Sequence, residues 1–346
     1  MSPLTGITNF FGLDIGTSGI RLVELKSSGT TKSLINYALV PIDPRLVLSD
    51  AKTDQQKVAA IIKQLVLQAK TTSKNVCVSL PSSRVFTVVF DMDKLSTNEL
   101  DKSIRFQADT LIPTPLENSK IDWALLGQSP MDANKIEVLL SSVPNSYVEN
   151  LVNLLEGVGL NVVGIEPEAI ALARAVLPKE VVKPQLVLDI GSTSSDLVIV
   201  MNNGPRLIRS IPGGSEFLIK SVAENLSIDH NQAQEFVFKF GMSKNKVEGQ
   251  IFNALVTATE GLFDELEKSI KFFQNRYKNT SIEKIYVTGA AASIPEFPLY
   301  LANKYSINVE IGNAWTNISI PENKKNELLA ISSSFAVAAG LAGRNE

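Results

Sequence analysis

The sequence predicts an α/β protein built from two similar halves, the first interrupted by a smaller α+β subdomain. Three observations carry this prediction. The phrase FGLDIGTSGIRLVEL at 11–25 returns as LVLDIGSTSSDLVIV at 186–200, about half the chain later. Aligned on Asp14 and Asp189, the copies share Leu-Asp-Ile-Gly, a pair of hydroxyl residues and a later Leu-Val, while Arg21 in the first stands opposite Asp196 in the second. The stretch 76–157 has a strand and helix rhythm of its own, and 346 residues suit two domains better than one simple core.

Each repeated phrase reads as a strand, a small-residue turn of four or five residues and a second strand, which together make a hairpin. A polar connection bracketed by Pro178 and Pro184 divides the chain into a first half at 1–178 and a second at 185–346. Within the first half, strand-like runs fall at 76–80, 85–90, 121–126 and 136–143. Between them Ser96 and Glu99 form a capping box, and Leu100, Ile104, Ala108 and Leu111 follow on one helical face. A helix at 147–157 stops at a glycine. The second half carries helices at 216–226, 231–240 and 247–277, the last with an apolar stripe of Leu262, Phe263, Leu266, Ile270 and Phe273. A strand at 284–288 then opens into Gly289-Ala-Ala-Ala292, small residues against which a flat ring can lie.

Apolar residues make up 44% of the chain and charged residues 20%, with a net charge of −3. These values describe a globular protein without the basic stripe that nucleic acid requires, so no nucleic-acid partner is expected. One cysteine forms no internal disulfide, which agrees with a reducing compartment. No basic residue precedes Arg21, unlike the start of a secretory signal. The uncharged stretch 328–343 contains three serines and falls short of the roughly 20 apolar residues that span a bilayer. It reads as a buried helix, and the expectation is a cytoplasmic protein with no direct membrane insertion.

The paired turns suit a phosphate clamp. Backbone and hydroxyl donors at Gly16, Thr17 and Ser18 and at Gly191, Ser192 and Thr193 can hold the β- and γ-phosphates of a nucleotide from two sides, and Arg21 adds a permanent positive charge. Asp14 and Asp189 are hard oxygen ligands suited to Mg²⁺, mostly through its waters. The Arg21/Asp196 difference fits an asymmetric ligand. A single Asp-Ile-Gly turn is equally an ordinary tight turn; two copies in half-chain register favour nucleotide. Neither a P-loop nor a Gly-x-Gly-x-x-Gly fingerprint is present. Cys77 reads as a small strand residue, His230 as a solvated residue at a helix start, and clusters of Cys and His are excluded by count. Glu166, just ahead of a helix at 169–175, either orients an attacking water or is a helix-start acid.

These residues resemble the actin-like ATPase superfamily, which shares the ribonuclease H-like fold, and within it the PilM family of type IV pilus assembly proteins. The N-terminal pattern is met by Asp14, Gly16, Thr17, Ser18, Arg21 and Glu24. Leu80-Pro81, the helix at 99–109 and Asp122-Trp123 look like the family's inserted subdomain, and Ile211-Pro-Gly-Gly214 looks like the element after the second phosphate loop. Glu265-Leu-Glu-Lys-Ser269 resembles the nucleotide-facing helix, and 287–295 the adenosine loop. The resemblance implies duplicated actin-like domains that bind ATP with Mg²⁺. Gly213, Gly214, Glu265, Lys268, Gly289 and Ala290 would then face ribose or adenine. It also implies a groove, built partly by the insert, for the N-terminal cytoplasmic tail of a PilN-like membrane protein. That contact would recruit the chain to the inner face of the cytoplasmic membrane, beside other inner-membrane pilus components; self-association is a further expectation. Two departures stand out. Val237 replaces a family lysine, and Ala290 and Glu296 replace glycines, so that a methyl at 290 crowds a ring lying on the backbone. ATP turnover is expected to be slow, since no strong general base is evident. Two alternatives fit less well. A phosphotransferase like the sugar kinases needs substrate-binding polar loops that the insert lacks, and a division protein like FtsA needs a terminal amphipathic helix where this chain reads Arg344-Asn-Glu346.

Overall fold

The computed structural model describes residues 9–344. The first half opens with β1 (Phe11–Gly16), β2 (Gly19–Ser28) and β3 (Thr31–Pro41), followed by helices α1 (Pro44–Leu48) and α2 (Lys52–Ala69) and strand β4 (Asn75–Leu80). A separate unit of β5 (Phe86–Asp93), α3 (Thr97–Leu111), β6 (Ser119–Gln128) and β7 (Lys135–Pro144) comes next, before α4 (Asn145–Gly157), β8 (Asn161–Pro167) and α5 (Glu168–Val176) complete the half. The second half runs β9 (Gln185–Ile190), β10 (Ser194–Met201), β11 (Gly204–Pro212), α6 (Ser215–Leu226), α7 (His230–Phe240), α8 (Gln250–Arg276), β12 (Lys284–Gly289), α9 (Phe297–Tyr305) and β13 (Asn308–Ile311), and ends in α10 (Lys325–Ala330) and α11 (Ala336–Ala342).

The duplication is visible as topology. One sheet has the order β3-β2-β1-β4-β8 and the other β11-β10-β9-β12-β13, so the strands correspond one to one. In each, an antiparallel hairpin forms one side, and parallel strands reached through helical crossovers form the other. The central strands β1 and β9 are covered on both faces, which explains their near-continuous apolar runs. Three cores result. Phe11, Leu13 and Ile62 anchor the first half, and Leu188, Phe263 and Phe273 the second. Between them Val23, Leu172, Val187, Val198, Trp315 and Phe335 join the halves. Each such side chain contributes roughly 1.5–3 kcal/mol when taken out of water, so the joint between the halves is as apolar as either core.

Three boundaries differ from the sequence reading. Strand β4 pairs in parallel with both β1 and β8, and α4 buries Val148, Leu151 and Leu155 in the first-half core. The inserted unit is therefore 81–144 rather than 76–157, because an apolar run does not reveal which sheet a strand joins. The segment 328–341 is not one helix: a 3-10 turn at 332–335 separates α10 from α11. Helix α11 also crosses back to lie against β1 and α5 of the first half, so 185–346 is not one spatial unit. Gly340 sits against the backbone of Ala171, where any side chain would collide. The insert's own core is Ile104, Ala108, Val138 and Leu140, and Glu99 accepts from the Ser96 backbone N–H at 3.3 Å at the start of α3, as the capping box requires.

Candidate functional site

Both repeated turns open onto one cleft of about 520 Å³ between the halves. They are tighter than four or five residues: Thr17 and Ser18 alone link β1 to β2, and Gly191, Ser192 and Thr193 link β9 to β10. The turns meet across the cleft, where Thr193 Oγ1 lies 3.3 Å from Thr17 Oγ1. Gly16, Thr17, Ser18, Arg21, Gly191, Ser192 and Thr193 all line this space, together with Asp14 and Asp189. The second turn is braced from behind. Ser215 N–H donates to Gly191 O at 2.8 Å and Glu216 N–H to Ser192 O at 3.0 Å. Gly214 packs so closely on the backbone of Gly191 and Ser192 that a Cβ would strike it. Gly213 and Gly214 thus support the turn from outside the cleft lining, which corrects their expected place at the ribose or adenine.

Arg21 stands directly across the hairpin from Asp14. Its guanidinium reaches Asp14 Oδ2 at 3.5 Å, Gly19 O at 2.9 Å and Ser18 Oγ at 2.9 Å. Asp196 occupies the equivalent position beside Asp189 in the second hairpin. Asp14, Asp189, Asp196 and Glu168 therefore share the cleft with Arg21, and Asp50, Glu216 and Arg84 also line it. Burial raises the Asp14 carboxyl, against the pull of Arg21 and of Ser79 Oγ, which donates to it at 3.1 Å. Burial pushes Asp189 up to about 6 despite the Thr288 hydroxyl donating to it at 2.6 Å, with Asp196 and Asp14 adding repulsion. Burial likewise raises Asp196, and burial followed by the Asp196 charge lifts Glu168 well above the usual carboxylate range. Asp196 Oδ1 and Arg21 Nε are buried here without a hydrogen-bond partner.

This donor set fits a hydrated divalent cation bearing phosphates. Burial disfavours the charged form of these acids and one oxygen is unmatched, yet among the described residues no group of His, Cys, Asp or Glu converges tightly enough to cage a metal directly. Such a site suits an ion that keeps its waters.

Other expected positions move. Glu166 is fully buried outside the cleft, where Arg174 grips both its oxygens; one contact is Nη1 to Oε2 at 2.7 Å, and Arg174 Nη1 also donates to Gly340 O at 2.8 Å. Arg174 of α5 thus ties β8 to α11, and Glu166 has no access to an attacking water. Glu168, two residues on, is the acid that lines the cleft, at the first position of α5. Glu265 and Lys268 pair with each other at 2.7 Å on the outer face of α8, away from the lining. Helix α7 buries Val237 in the second-half core and turns Gln234 and Phe238 to the cleft. Gly289, Ala290 and Ser293 line it as well, and Glu296 holds a left-handed backbone with φ of 59°. Cys77 lies in β4, its thiol raised to about 11 by burial, and His230 begins α7, 3.0 Å from Glu216 Oε2.

Among solved structures, the ethanolamine utilization protein EutJ from Carboxydothermus hydrogenoformans overlays with a TM-score of 0.57 at 16% identity, over 96% of this chain and 88% of its own. MreB5 of Spiroplasma citri bound to ADP gives 0.55 at 14% identity, over 96% and 94%. With their duplicated sheets about a shared cleft, these matches define an actin-like fold. A family model described as type IV pilus assembly protein PilM covers residues 12–346, and the chain belongs to that family. The structure titled PilM-PilN type IV pilus biogenesis complex matches with a TM-score of 0.83 and 26% identity, over 97% of this chain and 98% of that one. No helix among the described residues is long and apolar enough to cross a membrane.

Proposed function

We propose that this chain is an ATP-binding scaffold of type IV pilus assembly that holds the N-terminal cytoplasmic tail of a PilN-type inner-membrane protein and is thereby recruited to the inner face of the cytoplasmic membrane. The observation that carries the nucleotide reading is the meeting of the two turns, 3.3 Å apart at Thr17 and Thr193, over a cleft lined by carboxylates. Backbone N–H groups of both turns and the hydroxyls of Thr17, Ser18, Ser192 and Thr193 would grip phosphate oxygens, and Arg21 would offset their charge. Asp14 and Asp189 would hold the waters of Mg²⁺, which when bound neutralises charge on the phosphates. Burial and the neighbouring Asp196 charge raise the Glu168 carboxyl well above the usual carboxylate range and disfavour the ionised form that a general base needs, which supports slow hydrolysis at most.

The peptide reading rests on a second space. A groove of about 370 Å³ separates the insert from the first half, with Ile121, Trp123 and Ala124 of β6 on one wall and Val162, Val163 and Ile165 of β8 on the other. Both β6 and β8 are edge strands of their sheets. An extended peptide can add to such an edge by backbone hydrogen bonds while alternate side chains enter the apolar floor. Calorimetry tests both readings. Asp14→Ala and Asp189→Ala should each abolish MgATP binding, and full affinity in either refutes the two-sided clamp. Ala124→Glu, which places a charge in the groove, should abolish binding of the PilN tail peptide with ATP affinity intact.

A further inference from the structure

A further cavity, of about 760 Å³, is lined from both halves and shares no residue with the nucleotide cleft or the peptide groove. The hairpin of β2 and β3 brings Thr30 and Lys32 to it, the end of α5 and the connection beyond bring Arg174 and Lys179, and the turn between β10 and β11 brings Asn203. Much of the remaining wall is apolar, with Ile170, Val181, Val200 and Ile318.

The charges on this wall have one sign. Lys32, Arg174 and Lys179 line the cavity, and among the described residues no acid does. Arg174 is neutralised by the buried Glu166 that it grips, but Lys32 has no such partner. Its Nζ donates to Gly343 O at 2.8 Å and to Arg344 O at 2.6 Å, just past the end of α11, and it pairs with no carboxylate among the described residues. These carbonyls occupy two of the three donors of the ammonium, and a helix end offsets at most roughly half an elementary charge. The rest is unmatched. Lys32 is half-buried, and burial, with the Arg174 charge adding to it, lowers it to about 8, so that it is mostly charged at neutral pH. A charge partly withdrawn from water costs free energy that a short contact with an anion offsets. The exposed Lys179 adds to the attraction.

A bare inorganic anion would use only the corner at Lys32. The apolar wall, and a volume within the roughly 300–1,000 Å³ of small-molecule sites, suit a larger body. Among the described residues no aromatic side chain lines the cavity, so it offers nothing on which a base could stack and favours an aliphatic chain. We propose that this cavity binds a small amphiphilic anion, a carboxylate or phosphate on an aliphatic chain, with the head held by Lys32 and the chain on the apolar wall. The site stands whether or not the cleft takes nucleotide.

Calorimetric titration of the full chain with octyl phosphate, octanoate, 1-octanol and inorganic phosphate, all below micelle-forming concentrations, tests the proposal. Both octyl anions should bind one to one, and the tighter of them identifies the head group. Octanol and inorganic phosphate, each with half of the recognised features, should bind at least about tenfold more weakly. Lys32→Met keeps the bulk of the side chain without its charge and should bring the anions down to the level of octanol, with folding checked by circular dichroism. Lys179→Met alters an exposed side chain only and should weaken the anions by up to about fivefold, so it carries the test if Lys32→Met does not fold. Saturating MgAMPPNP should leave the anions bound. Failure of both anions to bind, octanol binding as tightly as they do, or their displacement by MgAMPPNP overturns the proposal. So does an unchanged anion affinity in Lys32→Met or, where that variant does not fold, in Lys179→Met.

Discussion

Replacing Asp189 with asparagine should stabilise the nucleotide-free protein at neutral and alkaline pH. The side chain keeps its shape and its Oδ1 acceptor for Thr288, 2.6 Å away, but loses the charge that burial and the neighbouring Asp196 and Asp14 oppose. The folded-state value of about 6 lies above the ordinary 3.8. Between these two pH values the native state retains a proton that the unfolded chain has released, so stability falls as pH rises across the window. At 1.36 kcal/mol per pKa unit the full displacement is worth about 3 kcal/mol. The carboxylate borders an open cleft, where water screens it, which brings the expected gain to about 1–2 kcal/mol. Urea denaturation followed by the fluorescence of Trp315, buried between the halves, would measure it. At pH 8 Asp189→Asn should exceed wild type by that amount, and near pH 4 the two should converge. With MgATP present the order should reverse, because the variant loses a ligand to the hydrated ion. A variant no more stable than wild type at pH 8 without nucleotide would refute the idea that the empty cleft stores electrostatic strain.

Four further outcomes test other parts of the account. Glu166→Gln leaves the Arg174 charge buried and should cost about 3 kcal/mol of stability with little change in ATP affinity; an intact fold that loses hydrolysis would restore Glu166 as a catalytic group. Glu168→Gln should leave ATP affinity within a fewfold and remove the residual hydrolysis, read by phosphate release. Gly340→Ala forces α11 away from α5 and should destabilise the protein by about 1–3 kcal/mol or more, seen as a lowered Tm. The Cys77 thiol, held at about 11, should react with Ellman's reagent at pH 8 only after unfolding; rapid reaction in the native protein would mean that β4 is open to solvent.

Much of this was legible in the sequence because the duplicated phrases carry their own register. Asp14 and Asp189, with the small residues after them, fall at equivalent points of equivalent sheets, and the alignment alone placed them together. The Arg21/Asp196 contrast was also visible, and the two residues fall at equivalent cross-strand positions: Arg21 faces Asp14, and Asp196 faces Asp189. Glu166 and Glu168 were harder to separate. Glu166 lies within β8 and enters the packed joint with Arg174, while Glu168 lies past the end of the strand and opens a helix at the cleft. Pro167 between them was a usable signal, since it marks the turn from strand to helix and puts Glu168 at the helix start. Glu265 and Lys268 carried a signal too: an acid and a base three apart on a helix commonly form a solvated surface pair, as they do here. The return of α11 to the first half had no local signature, because packing between distant segments is decided by shape rather than by periodicity.

The central claim is that one triphosphate is gripped from both halves at once. A crystal structure of the chain grown with MgAMPPNP tests it most directly. The account predicts phosphate density bounded by residues 16–18 on one side and 191–193 on the other, with Asp14 and Asp189 facing the hydrated ion. Nucleotide bound elsewhere, or touching only one of the two turns, would contradict it.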